Sequence, residues 1–300
     1  MKLSEKQKSS PLQAKALGKG ISKSLKAPDF SLLAGNGPET GNPELPLPEG
    51  DTYSYTDFSD GDLNVKGGDD TSENGFDVTD IDQGSLGDCY FLAALGAVAA
   101  SNPEILENLI SGPKDDGSYD VTLYIDGGLF RGRNATVINV FPSFPTNGSG
   151  DPVYASLPGG TGEGKEIWPL LFEKAWAKHN GGYDEIEGGR VNEALEMITN
   201  KDTKVQNTRG MSESEILTTL NDALTSGSPV AADSHNFEKA DKKKQEAAET
   251  DNVVGAHTYI VTAVDVKGDS ISLRNPWGHS HLTLNAADFK RYFHDINYTK

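Results

Sequence analysis

Apolar residues fall into a readable pattern only from about Val78 onward. Upstream, from Ala27 to Ser72, the chain is rich in Pro, Gly and Asp, and no apolar period persists beyond a few residues, as in a linker or prosegment. The run "CYFLAALGAVAA" from Cys89 is apolar on all sides and predicts a helix buried in a core. Asn102 is expected to cap a second short helix, with Pro103 at its first position. The stretches "YDVTLYID" from Tyr119 and "ATVINVF" from Ala135 carry β-branched and aromatic residues in partial alternation and predict neighbouring strands.

From Glu166, "EIWPLLFEKAWAKHN" has apolar residues at helical spacing and stops at Gly181, a left-handed C-terminal cap. Ser212 and Glu215 form a capping box ahead of "ILTTLNDALTSG" and open another helix. A strand, "PVAAD", comes after it. The stretch "FEKADKKKQEAAETD" has charge but little apolar period, and no element is predicted there. "AHTYIVTAVDV", the turn "KGD" and "SISLR" form a β-hairpin pattern. The expected fold class is therefore α+β, with a helical first lobe and a strand-rich second lobe. Residues 1–74 are expected to be a disordered or low-complexity leader.

Composition narrows the function. With 300 residues the chain is long enough for one two-lobed catalytic unit. A net charge of −18 opposes a nonspecific grip on nucleic acid or anionic membrane. No apolar run reaches the length of a bilayer span, and nothing near Met1 resembles a secretory signal. The expected setting is thus the cytoplasm, or secretion without such a signal, and the lysine-rich first 26 residues are an export leader or merely a tail. A single cysteine excludes an intrachain disulfide and the cysteine-rich zinc clusters.

That cysteine, Cys89, follows the turn-forming "DQGSLGD" and opens an apolar helix. A helix start stabilises a thiolate through its dipole and leading amide groups, yet a free cysteine is equally at home as a small core residue. A nucleophilic thiol needs a proton acceptor. Among six histidines, His257 stands out because it lies in an apolar strand, where a hydrogen-bonded core histidine is the competing reading. Asn275, in "RNPWG", ends the partner strand; its amide oxygen can accept the imidazole N–H and fix the tautomer. Trp277 would then cover that bond, unless it is plain core. Gln83, six residues before Cys89, is a candidate oxyanion donor together with the Cys89 backbone N–H. Asp88 is taken as a turn or helix-start residue.

In this order, "QGSLGDCYFLAA", "HTYIVTAV" and "LRNPWG" resemble the three catalytic blocks of the calpain family of papain-like cysteine proteases. "EIWPLLFEKAWAKHNGGYDEIEGG" and "LNAADFKRYF" resemble further segments of that protease core, so the resemblance spans about Gly75 to Tyr292. It implies a papain-like two-lobed fold, with a helical lobe over residues 75–200 bearing the cysteine and a β-rich lobe over 201–300 bearing the histidine and asparagine, and a calpain-like cysteine endopeptidase working through a thioester acyl-enzyme. Cys89 would be nucleophile, His257 base, Asn275 orienter, Gln83 oxyanion donor and Trp277 cleft wall. Tyr90 departs from the tryptophan usual after the cysteine. The resemblance also implies Ca2+ in the protease core, with Asp80 and Glu166 as carboxylate ligands and loop carbonyls near Glu73 and Gly75; no organic cofactor is implied. Expected partners are protein or peptide substrates, met by a monomer. The competing functions are acyl transfer to an amine and a catalytically silent peptide-binding scaffold, and a secreted effector is one setting for the protease.

Overall fold

A computed structural model describes residues 44–64, 75–128, 132–157, 166–238 and 240–300. In chain order the first part runs β1 (Ser54–Asp57), α1 (Cys89–Ser101), α2 (Glu104–Leu109), β2 (Ile110–Ser111), β3 (Tyr119–Asp126), β4 (Arg133–Val140), β5 (Ser143–Thr146), α3 (Trp168–Asn180) and α4 (Val191–Thr199). The second part runs β6 (Thr203–Asn207), α5 (Glu213–Thr225), β7 (Val230–Ser234), α6 (Lys242–Thr250), β8 (Thr258–Asp265), β9 (Ser270–Arg274), β10 (Leu282–Leu284), α7 (Ala286–Tyr292) and β11 (Phe293–Thr299).

Helix α1 is buried from Tyr90 through Ala99, as a helix with no polar face must be. Helix α3 ends where Gly181 adopts a φ of 98°, with its N–H returning to Ala177 O, the left-handed cap that favours glycine. Ser212 and Glu215 exchange both bonds of the capping box at the start of α5. β2, β3 and β4 form a three-stranded sheet beside these helices, and the second part builds a six-stranded sheet in the order β10-β9-β8-β7-β11-β6. Each neighbouring pair in the six-stranded sheet is antiparallel.

Two large clusters of buried side chains lie on opposite sides of β7 and β8. Ala231 and Ile260 belong to the cluster built on α1, α3 and α4. Val230, Ala232, Tyr259 and Val261 belong to the one built on α5 and α7. Successive residues of a strand face opposite ways, so these strands serve as a shared wall and read as nearly unbroken apolar runs. Gly96 permits the approach on the α1 side: a Cβ there would lie 2.4 Å from Ile260 Cδ1 and 3.2 Å from Ile81 Cγ1.

Three expectations change. Residues 44–64 do not stand apart as a leader: β1 pairs antiparallel with β5, Phe58 is buried against Phe144 at 5.6 Å between ring centroids, and Leu45 and Leu47 pack around Tyr154 and Tyr183. A four-residue strand flanked by Pro and Gly is too short to register as a period, and its partner lies about ninety residues away. The rest of the presumed leader, 1–43 and 65–74, lies outside the described residues. Asn102 terminates α1 and makes no side-chain cap on α2, where the position before the helix is Pro103. The charged stretch with no predicted element contains α6, started by the Asp241 side chain accepting from Lys244 N; capping and helix-forming residues outweigh its weak apolar face.

Candidate active site

The segment before Cys89 is stitched to its surroundings by backbone bonds. Gly84 N–H donates to Tyr154 O at 2.5 Å, Ser85 N–H to Val153 O at 2.8 Å, and Gly188 N–H to Gly87 O at 2.8 Å. A Cβ on Gly84 would meet Val153 O at 2.3 Å and Tyr154 O at 2.5 Å, so the close approach of two backbones requires glycine. Gln83 N–H reaches Pro276 O at 2.8 Å, tying the cysteine segment to the segment that carries Asn275. Cys89 is half-buried as the first residue of α1, ahead of the first intrahelical bonds, which run from Phe91 and Leu92 N–H to Asp88 O. Leading amide groups and the helix dipole therefore lie at the sulfur's backbone.

His257 immediately precedes β8, and the residue before it, Ala256, holds a φ of 51°. That conformation costs a residue other than glycine about 1–2 kcal/mol, and the surrounding bonds hold it: Ala256 N–H donates to His235 O at 3.0 Å and His257 N–H to Ser234 Oγ at 3.0 Å. His257 Nε2 lies 2.9 Å from Asn275 Oδ1, and Trp277 N–H donates to the same oxygen at 3.0 Å. The backbone donor identifies that atom as the amide oxygen. An oxygen that already accepts can bond to the imidazole only as acceptor again, so Nε2 carries the proton and Nδ1 keeps its lone pair. His257 is 6% exposed and Asn275 0%. The half-exposed Trp277 ring sits 4.8 Å from the imidazole at 44°, and Tyr259 meets its other side edge-on at 5.1 Å. The remaining amide nitrogen, Asn275 Nδ2, is buried without an acceptor, a cost borne at this one site.

Cys89 and His257, both described, share no hydrogen bond. The backbone N–H and hydroxyl of Thr258, the residue after His257, act on the sulfur and favour its thiolate. Burial pushes the Cys89 thiol up to about 12, helped by the charges of Asp88 and Asp233, and burial pushes His257 down to about 4 against the pull of Asn275. Both shifts favour the neutral thiol and the neutral imidazole.

Residues 69–298 match the calpain family of cysteine proteases. The chain belongs to this family. It is 30% identical to the calpain-2 catalytic subunit of Gallus gallus over 217 residues, 68% of this chain and 29% of that protein. It is also 31% identical to the calpain-1 catalytic subunit of Mus musculus over 207 residues, 67% of this chain and 27% of that protein, and 30% identical to the calpain-1 catalytic subunit of Homo sapiens over 225 residues, 73% of this chain and 30% of that protein. The chain thus spans less than a third of the calpains it matches.

Within this calpain-family core, the Gln83 amide is engaged with the segment just before Cys89. Nε2 donates to Leu86 O at 2.8 Å and lies 3.4 Å from Asp88 Oδ1, while Oε1 is buried without a donor. Only the N–H turned toward Asp88 can be released to an oxyanion without breaking the shorter bond. Tyr90 Oη accepts from Trp176 Nε1 at 2.9 Å, and its ring fills the space a side chain on Gly189 would need.

Asp80 and Glu166 come together as hydrogen-bonding neighbours, 3% and 7% exposed. Asp80 Oδ2 also accepts from Asp77 N–H at 2.8 Å and Trp168 Nε1 at 2.9 Å. Burial pushes the Asp80 carboxyl up, with Asp77 adding repulsion. Two buried carboxyls in contact need a proton or a cation between them, so the donor set fits a hard cation in part. Among the described residues, however, no group of three or more metal-ligating side chains assembles. Gly75 is described and buried, whereas Glu73 lies outside the described residues.

Sequence reading passed over a second carboxyl pair and a hydroxyl. Asp88, taken as a turn residue, is 0% exposed and hydrogen-bonds Glu173 of α3, itself 3% exposed. Burial pushes both carboxyls up, and Asp88 Oδ2 and Glu173 Oε1 are buried without an N–H or O–H donor, which favours a proton held between the two. The available signal was a glutamate within the apolar run "PLLFEKAW". Thr258 and Asp233 were marked in the same way, as polar residues in apolar strands.

Proposed function

We propose that this chain is a cysteine endopeptidase with Cys89 as nucleophile, His257 as general base and acid, and Asn275 as orienter. The observation that carries the reading is the buried 2.9 Å bond from His257 Nε2 to Asn275 Oδ1, with the oxygen's identity set by Trp277 N–H. It leaves Nδ1 as the ring's proton acceptor, and the next residue in the chain, Thr258, acts on the sulfur. The 4.8 Å Trp277 contact supports its role as a cleft wall that keeps water from the pair.

In the first step the Cys89 proton passes to His257 Nδ1 as Sγ attacks the peptide carbonyl carbon. The resulting oxyanion is met by the Cys89 backbone N–H at the helix start and by the Gln83 side-chain N–H. The carbon–nitrogen bond then breaks, and His257 gives the proton to the departing amine, leaving a thioester. Water, deprotonated by His257, attacks the thioester, and carbon–sulfur cleavage returns the acid product and the thiol. Two lobes meeting along the β7–β8 wall would flank an extended substrate.

Calcium belongs to the same proposal. Asp80 and Glu166 would supply two of the six to eight oxygens that calcium takes and, by removing the repulsion between them, hold the first lobe in one arrangement. The test uses the purified full chain and denatured casein, with Cys89→Ala as control and calcium or chelator as the second variable. Cleavage by wild type and none by Cys89→Ala is expected, with chelator reducing the rate. Equal cleavage by both proteins would remove the nucleophile, and indifference to chelator together with indifference to Glu166→Gln would remove the metal.

A further inference from the structure

We infer that His281 is a positioning residue for Asn275: a neutral imidazole whose Nδ1 lone pair holds the asparagine's backbone N–H, so that the orienter is fixed while His281 is unprotonated and loosened when it takes up a proton. The inference rests on Asn275 as the orienter of His257 and goes beyond the triad.

Strand β9 ends at Arg274 and β10 begins at Leu282, with Leu282 opposite Leu273 in the antiparallel register. The ladder therefore brings His281 alongside Arg274 at the start of the turn that carries Asn275. Asn275 N–H donates to His281 Nδ1 at 3.2 Å, and Arg274 Nη1 lies 3.1 Å from His281 Nε2. Two N–H donors thus converge on a ring that, when neutral, offers one lone pair. Burial decides which nitrogen keeps it. Asn275 is buried, and a buried backbone N–H is costly to leave without an acceptor. Arg274 is half-buried and donates through Nη2 to Thr79 O at 3.1 Å, so its Nη1 can turn toward solvent. The lone pair belongs on Nδ1 and the proton on Nε2.

Protonation undoes this arrangement. An imidazolium carries N–H groups on both nitrogens and no lone pair, so Nδ1–H would oppose Asn275 N–H and the new charge would stand beside the Arg274 guanidinium. His281 is exposed, which lets protons reach it and lets the ring swing out. The backbone bond of Asn275 is then lost while its side-chain oxygen still has to meet His257 Nε2 and Trp277 N–H. The charged and titratable groups facing His281 are Arg274 across the ladder and His279 on its own turn; together with burial, the largest cause, they hold the imidazole below the ordinary histidine range. From the cysteine segment, Asp82 acts on Arg274 and would lie 3.1 Å from a Cβ on Gly278. Burial pushes its carboxyl up to about 6, so it titrates in the same range and has to be separated from His281.

His281→Asn makes that separation, because its amide oxygen can take the place of Nδ1 and does not titrate, while Asp82 and His257 are unchanged. The first measurement is kcat on casein from pH 4.5 to pH 8 in the full chain. The ratio of wild type to His281→Asn should be near one at pH 8 and fall roughly tenfold toward pH 4.5, part of the hundredfold that misplacing a catalytic group can cost. His281→Ala, which has no acceptor, should lose roughly the same factor in kcat at pH 8, with KM within a few-fold. A ratio that stays flat across the range would overturn the inference, as would wild-type kcat in a folded His281→Ala. The second measurement follows the Asn275 backbone amide by NMR in chain labelled with 15N-asparagine. Its resonance should move with a single titration below about pH 6.5 that is absent from His281→Asn; a resonance indifferent to pH in wild type, or one that titrates equally in the variant, would also overturn it. The amide signal needs neither a folded alanine variant nor any cleavage of casein, so loss of the protease reading and loss of this one give different results.

Discussion

Replacing Asn275 by alanine tests the triad at its most buried member. The substitution removes the acceptor for His257 Nε2–H and for Trp277 N–H, and with it the buried Nδ2 that has no acceptor of its own. Each buried donor left without a partner costs about 1–3 kcal/mol. Loss of the unsatisfied amide nitrogen returns an amount of the same size. Trp277 is half-exposed, so its N–H can turn to water; the orphaned His257 N–H and the recovered amide nitrogen then roughly cancel, and stability should change by no more than about 1 kcal/mol. Activity should fall much further. Without the oxygen the imidazole can rotate and exchange tautomers, and a misplacement of this kind costs about a hundredfold in rate. The loss should lie in kcat, with KM within a few-fold, since Asn275 is 0% exposed and touches no substrate. Asn275→Asp is the informative partner: a carboxylate can accept both N–H groups and brings no orphaned donor. Its charge opposes the burial that holds His257 near 4, so the imidazole pKa rises and the acid limb of kcat/KM moves to higher pH. The assay is initial rate on a fluorogenic peptide or casein from pH 4 to pH 9, beside thermal melts. A kcat for Asn275→Ala within threefold of wild type, with Cys89 still required, would refute the reasoning.

Three further outcomes follow from particular contacts. Asp88→Asn should make the protein more stable than wild type at pH 8 and little different at pH 4. A carboxyl whose folded pKa is raised by burial loses stability as pH climbs from its unfolded to its folded value, about 1.4 kcal/mol per unit; melts at the two pH values check it, and equal differences at both would count against the shared proton. Gly84→Ala should lower the melting temperature and kcat together, because all three atoms it would strike are backbone atoms of Val153 and Tyr154 that cannot swing aside; wild-type values of both would show that the segment can shift freely. Gln83→Ala should reduce kcat by roughly 10²–10³ if its amide reaches the oxyanion, measured at saturating substrate, whereas loss of the Leu86 bond alone would lower only the melting temperature.

The local structure around the candidate site was legible in the chain. Cys89 opens an apolar helix, Gly181 and the Ser212–Glu215 box end and start helices where their backbone demands require, and the β8–β9 hairpin follows from its alternation around a turn. Each depends on residues within one or two turns of one another, so the physical cause and the sequence signal coincide. What only the tertiary structure decided is non-local. Strand β1 was hidden because its partner is distant. Thr258 and Asp233 look like ordinary polar residues until β7 and β8 pair and set them beside Cys89. The Asp88–Glu173 pair exists only because α3 packs against the start of α1. Periodicity shows that a face will be buried; the side chain that will cover it is chosen by packing, and packing alone determined which carboxyl and hydroxyl act on the sulfur and which carboxamide meets the imidazole.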